Sequence, residues 1–305
     1  MNNCPFKMPE ELPLLAEKST EYMAYESPQP ATWCSGCGNY GIQKALERAL
    51  TLENIKPHET VMVFDIGCHG NGSDKINGNT LHGLHGRVIS LAAGAALANP
   101  KLKVIAHGGD GGILSEGVGH LVHAVRSDYP MLFILHNNEN YGLTTGQASA
   151  ATRKGLPMNG SPDGVILDPM VACQFVMTLH PSFVARTFSG DLHHMTKILR
   201  AALNHKGFAF VEIMQVCPTY NKATSPAWFW DRVRDVEKLP SYNPTDWWQA
   251  MKAVEDLDKE IMMGVLYKKD QPNFLERLPN RKDVKTALTE EVGHHDISAL
   301  LEEMK

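Results

Sequence analysis

Short runs of consecutive apolar residues recur along the chain. They are VMVFDI at 61–66, VIA at 104–106 and MLFIL at 131–135, followed by FVARTF at 183–188 and FAFVEIMQV at 208–216. Runs this short and this apolar predict strands covered on both faces, as in a parallel sheet. Between them the spacing turns helical. Ile42, Ala45, Leu46 and Ala49 fall on one stripe, and SLAAGAALAN at 90–99 is a small-residue helix stopped by Pro100. LHHMTKILRAAL at 192–203 is amphipathic, with the pair His193 and His194 assigned to its solvated face. PMVACQFVM at 169–177 reads as a further helix, with Cys173 on its apolar pattern as core and not as a ligand. Strands alternating with helices predict an α/β fold built on a doubly wound, mostly parallel sheet.

The stretch 108–146 organises the rest: strand, Gly-Asp-Gly turn, helix, strand, Asn-Asn turn. A right-handed crossover between parallel strands brings both turns to one edge of the sheet. Asp110 offers a charged oxygen there and Asn138 a neutral one, both suited to Mg²⁺. The glycines at 108, 109, 111 and 112 let a diphosphate approach the backbone, and the following helix N-terminus favours its charge. A loop of small polar residues, YGLTTGQASAAT at 141–152, is expected to lie over that diphosphate. The Gly/Pro-rich segment 153–168 is expected to be a lid or an interface loop.

Six cysteines stand at 4, 34, 37, 68, 173 and 217. Cys34 and Cys37 form a C-x-x-C turn, WCSGCGNYG, before a helix. Such a turn serves a dithiol, a zinc knuckle or an iron–sulfur cluster, and the spacing alone leaves all three open. Cys68 ends the strand at 61–66 on the ligand-binding edge, and Cys217 ends the run at 208–216, before Pro218. Cys4 lies in a Pro-rich N-terminal arm with a short helix expected at 14–22. His82 and His85 in LHGLHGR are read as phosphate or substrate contacts, or as plain loop residues.

Composition narrows the class. The chain has 305 residues, 43% hydrophobic, with a net charge of −5, room for one large α/β domain with an extension. No basic stripe suggests nucleic acid, and no apolar run reaches the roughly 20 residues of a membrane span. The N-terminus lacks a basic region followed by an apolar core, so a cytoplasmic location is expected. The division expected is an arm at 1–30, a cofactor domain at 31–227 and an extension at 228–305. The extension holds four of the five tryptophans, at 228, 230, 247 and 248. It is expected to pack on a partner, with 261–267 as a further strand or a docked segment.

GDG followed after 25 residues by NN resembles the motif of thiamine diphosphate enzymes. Together with WCSGCGNYGI, DIGC, LHGR, HNNENYGLTTGQ, QVCPTYN and the tail NPTDWWQAMKAVED, it makes residues 30–280 similar to the β subunit of the two-subunit 2-oxoacid:ferredoxin oxidoreductases. The resemblance implies the diphosphate-domain fold and thiamine diphosphate at Ile66, Gly67, Cys68, His69, His85, Gly109, Asp110, Gly111, Gly112, Asn138, Tyr141, Gly142 and Leu143. It implies Mg²⁺ on Asp110, Asn138 and the Asn140 carbonyl, and a [4Fe–4S] cluster on Cys34, Cys37, Cys68 and Cys217. The implied reaction is CoA-dependent oxidative decarboxylation of a 2-oxoacid to acyl-CoA and CO₂, with electrons passed to ferredoxin, and reversible with a low-potential donor. The substrate expected first is 2-oxoglutarate, then pyruvate. The activating glutamate is expected on an α subunit in an (αβ)₂ assembly, so this chain is inactive alone and no catalytic acid or base is assigned to it. Two other readings compete: a non-redox thiamine diphosphate decarboxylase or synthase, and a module whose four cysteines hold structural zinc.

Overall fold

The computed structural model describes residues 22–255, 259–283, 285–291 and 296–304. Cys4 and the helix expected at 14–22 lie outside them, apart from Tyr22, where a 3-10 turn (Tyr22–Tyr25) begins. Eight strands form one sheet: β1 (Thr60–Phe64), β2 (Asn79–His82), β3 (Lys103–Gly109), β4 (Leu132–Asn137), β5 (Phe183–Phe188), β6 (Ala209–Met214), β7 (Val233–Asp235) and β8 (Ile261–Lys268). Their spatial order is β2-β1-β3-β4-β6-β5-β8-β7. The strands from β2 through β5 run parallel, β8 pairs antiparallel with β5, and β7 runs parallel to β8. Every residue of β4, β5 and β6 is buried, as their central position and apolar sequence require.

Helices cover both faces. On one side lie α1 (Asn39–Leu52) and α5 (Leu192–Leu203), where Ile42, Leu46, Ile198 and Leu199 pack on Ile105, Ile134 and Val211. On the other lie α2 (Val88–Ala98), α3 (Val118–Ser127), α4 (Ala172–Met177) and α7 (Trp247–Ala253), with α6 (Pro226–Arg232) between β6 and β7 in the chain. The alanines of α2 let it sit close to Val104 and Ala106 of β3. Caps set several helix starts: Asp191 accepts from His194 N, Ser225 from Trp228 N, and Asp246 from Trp248 N and Gln249 N.

Three readings change. The helix expected at 169–177 begins only at Ala172, because Val171 is extended. Of the paired histidines, only His193 is exposed; His194 turns inward, its Nδ1 lying 2.7 Å from Thr187 Oγ1 of β5. The C-terminal extension is more than an appendage: the run at 261–267, expected as a further strand or a docked segment, is strand β8, and with β7 it completes the chain's own sheet. Phe229 packs on Phe188 at 4.7 Å between ring centroids and, with Ile261 and Met263, closes a third apolar cluster.

Candidate active site

Because β1, β3, β4 and β6 are parallel, their carboxyl ends deliver four loops to one edge of the sheet. After β3 the chain turns directly into helix at Asp110 and passes through a π-helical turn, Gly112–Glu116, closed by Gly117 N on Gly112 O at 2.8 Å. Here the glycines are sterically required. A Cβ on Gly111 would lie 2.4 Å from the Tyr141 ring, one on Gly109 2.9 Å from His69, and one on Gly112 2.5 Å from Asp65 Oδ2.

Asp110 is 1% exposed. Ser149 Oγ donates to its Oδ2 at 2.5 Å and Asn138 N reaches Oδ1 at 3.4 Å. Burial nevertheless pushes its carboxyl up to about 7, against the Ser149 bond, so a cation beside it would restore its charge. The Asn-Asn turn is stitched from several sides. Asn137 Nδ2 donates to Glu212 Oε1 at 2.8 Å, Asn140 N to Asn138 Oδ1 at 3.1 Å, and Asn221 Nδ2 to Asn138 O at 3.2 Å. Glu139 takes a positive φ of 59° there, held by Arg153 Nε at 3.1 Å.

These loops line an open pocket with about 440 Å³ of empty space, the solvent at its mouth included. It is lined by Ile66, Gly67, Cys68, His69, His85, Gly109, Asp110, Gly111, Gly112, Asn138, Asn140, Tyr141, Gly142, Leu143 and Thr144. Every residue expected at the cofactor or the Mg²⁺ therefore faces one cavity, and its glycine floor and buried carboxylate fit a diphosphate and its cation. Of the paired loop histidines only His85 reaches it, with Nδ1 3.4 Å from Glu116 Oε2. Three contributors were missed. Thr144 stands in the small polar loop, Ser149 supports Asp110, and Asn221 ties the turn to the loop after β6. The motifs HNNENYGLTTGQ and QVCPTYN already contained the first and last of these.

The cysteines converge beside the pocket. The turn holding Cys34 and Cys37 is closed by Cys37 N on Cys34 O at 3.0 Å, and Gly38 N docks it on Val216 O, past the end of β6, at 3.1 Å. Trp33 Nε1 donates to Cys68 O at 2.6 Å. Burial first, and then the neighbouring Cys37, Cys217 and Cys34, together push the Cys68 thiol up to about 12. Burial also raises Cys37, with Cys217 and Cys34 adding to the effect. Two thiols, Cys37 and Cys68, whose ionisation burial and their cysteine neighbours oppose suit a centre whose cations take up thiolate charge. Among the described residues no group of three or more His, Cys, Asp or Glu side chains forms a ready metal cage. Cys173 is fully buried elsewhere, its thiol beside Glu212 and Arg186.

Known proteins bear on this arrangement. The family "Thiamine pyrophosphate enzyme, C-terminal TPP binding domain" matches residues 65–213, and the C-terminal family of the pyruvate ferredoxin oxidoreductase beta subunits matches 217–283. The chain is 37% identical over 268 residues to the β subunit of 2-oxoacid:ferredoxin oxidoreductase 1 of Aeropyrum pernix, covering 85% of this chain and 84% of that one. The chain belongs to the β subunits of the 2-oxoacid:ferredoxin oxidoreductases. This β subunit is also 31% identical over 254 residues to the 2-oxoglutarate synthase subunit KorB of Methanocaldococcus jannaschii, covering 82% and 92% of the two chains. The 2-oxoglutarate:ferredoxin oxidoreductase of Magnetococcus marinus, solved with 2-oxoglutarate, coenzyme A and succinyl-CoA bound, has a TM-score of 0.85 to it. The two are 29% identical, over 97% of this chain and 99% of that chain. No helix among the described residues is long and apolar enough to cross a membrane.

Proposed function

We propose that this β subunit, joined to an α subunit, carries out the CoA-dependent oxidative decarboxylation of a 2-oxoacid and passes the electrons through a [4Fe–4S] cluster to ferredoxin. The observation that carries the reading is a shared wall. Cys68 lines the pocket and is also coupled to Cys34, Cys37 and Cys217. Gly142 keeps that wall thin, since a Cβ there would lie 3.2 Å from Cys68 Sγ. A decarboxylase that releases an aldehyde has no use for a thiol cluster against its cofactor pocket.

The roles of this chain's own residues follow. Asp110, Asn138 and the Asn140 carbonyl hold Mg²⁺, and Gly109, Gly111 and Gly112 bring backbone against the diphosphate. Tyr141 closes the pocket over Gly111, its hydroxyl donating to Gly111 O at 3.1 Å. The Cys34, Cys37, Cys68 and Cys217 thiolates hold the cluster. Bound thiamine diphosphate supplies the carbanion chemistry that frees CO₂ from a 2-oxoacid. The activating glutamate belongs to the α subunit. Trp230 and Trp248, 50% and 77% exposed, give the extension an apolar surface for a partner. The names of the Methanocaldococcus and Magnetococcus relatives favour 2-oxoglutarate as substrate, with pyruvate second.

The test is viologen reduction by the co-expressed, anaerobically purified complex. Reduction that requires coenzyme A and is faster with 2-oxoglutarate than with pyruvate is expected, with none from the β subunit alone. Full activity from the isolated chain, or acid-dependent turnover indifferent to coenzyme A, would overturn the proposal.

A further inference from the structure

Gln215 lies past the end of β6, two residues before Cys217. Its backbone N–H donates to Asn137 O at 2.7 Å, which pins it to the Asn-Asn turn. Its side chain is 1% exposed and aims its amide nitrogen at the C-x-x-C turn, with Nε2 3.6 Å from Cys37 Sγ. Gly38 makes the room, because a Cβ there would stand 2.7 Å from Gln215 Cγ. Cys37 also receives the backbone N–H of Asn39 at the start of α1.

The other end of the amide is informative. Gln215 Oε1 is buried, lies near the His136 ring and makes no well-formed hydrogen bond. A buried carbonyl oxygen so poorly paired costs stability, and an apolar side chain of similar length would fill the space without that cost. The orientation makes sense if the donor end is what matters. A metal-bound thiolate only accepts hydrogen bonds, so the nitrogen of the amide is the end that fits it. Cys217, by contrast, meets the oxygen end of the Asn140 amide, at 4.0 Å.

We infer that Gln215 is a positioning residue for the cluster: its amide N–H donates to the Cys37 sulfur and raises the cluster's reduction potential. The inference rests on the proposed reading of Cys34, Cys37, Cys68 and Cys217 as cluster ligands. The physical reason is that reduction adds negative charge to the iron and its sulfurs. A donor aimed at one sulfur stabilises the reduced state more than the oxidised one. Away from water that bond is electrostatically stronger, and no solvent dipole replaces it when it is removed.

The experiment is Gln215→Leu in the co-expressed αβ complex. Iron and acid-labile sulfide are assayed first, and the cluster's midpoint potential is then measured by redox titration followed by EPR. The expected result is a full complement of iron and sulfide with a midpoint shifted to more negative potential. A full cluster at an unchanged midpoint would overturn the role of Gln215 and leave the cluster reading standing. Absence of iron and sulfide from the wild-type complex would overturn the cluster reading and this inference with it. Should Gln215→Leu fail to fold, the wild-type complex labelled with ¹⁵N in glutamine side chains decides the matter. Pulsed EPR of the reduced cluster is expected to show coupling to an amide ¹⁵N, and its absence would overturn the inference.

Discussion

Glu212 and Arg186 form an ion pair in the middle of the sheet, both 0% exposed, with Arg186 Nε 2.7 Å from Glu212 Oε2. The other carboxylate oxygen accepts from Asn137 Nδ2 at 2.8 Å, so the pair braces the turn that presents Asn138. Burial alone would raise the Glu212 carboxyl. Arg186, the Cys173 thiol and Asn137 together hold it below the ordinary carboxylate range. Glu212→Leu strands a guanidinium whose Nη2 already lacks a hydrogen-bond partner. Breaking a buried pair costs about 3–5 kcal/mol, and the orphaned Asn137 amide adds about 1–3 kcal/mol. The sum is on the order of half the stability of a folded domain. The double variant Arg186→Met/Glu212→Leu leaves no buried charge, so it should lose far less than the sum of its single variants. The assay is the urea midpoint of the anaerobic complex, with calorimetric titration of thiamine diphosphate to report the position of the Asn-Asn turn. Cofactor affinity should fall in Glu212→Leu. A single variant within about 1 kcal/mol of wild type, or a double variant as damaged as the sum, would refute the reasoning.

Other consequences are simpler to check. Asp110→Ala should abolish Mg²⁺-dependent thiamine diphosphate binding in calorimetry while leaving the iron content intact; tight cofactor binding by the variant would count against the assigned metal site. Cys217→Ser should lower the iron content and bleach the cluster, whereas Cys173→Ser should do neither, because Cys173 lies buried beside Glu212 and Arg186. Burial pushes His107 down to about 3, with His69 adding, and His205 down to about 4. An unfolded histidine titrates near 6.5, so below that pH the unfolded chain binds protons that the folded chain excludes. The stability from both neutral rings is therefore complete above about pH 6.5 and drains away as pH falls toward 4, at up to about 1.4 kcal/mol per pH unit for each. A urea midpoint flat between pH 7 and pH 5 would contradict this.

The elements that matched the sequence most closely were those with one uninterrupted period. LHHMTKILRAAL gave α5 as Leu192–Leu203, and FVARTF gave β5 as Phe183–Phe188. The GDG and NN turns were legible because parallel strands leave loops no choice of edge. What the sequence hid was long-range. FVARTF carries a buried arginine whose partner lies 26 residues on, and no local pattern announces that. His194 looked solvated beside His193, but a helix turns about 100° per residue, and that step carried it onto Thr187. The strand expected at 261–267 is β8, but its antiparallel pairing with β5 spans a stretch of more than seventy residues, and neither that join nor the short parallel β7 beside it is announced by any motif; packing of Phe229 and Ile261 fixes them. The stack of Phe64 on His107, and the contact of His107 Nδ1 with His136 Nε2 at 3.1 Å, fall in the same class.

The proposed electron path requires that four cysteines from three separate parts of the chain hold an iron–sulfur cluster. Iron, acid-labile sulfide and zinc, measured with a visible spectrum on the anaerobically purified αβ complex, address that directly. About four iron and four sulfide per β subunit, with a broad brown absorbance, are expected for a [4Fe–4S] centre. Zinc in place of iron, without sulfide, would leave the cofactor pocket in place, remove the electron path and contradict the proposed reaction.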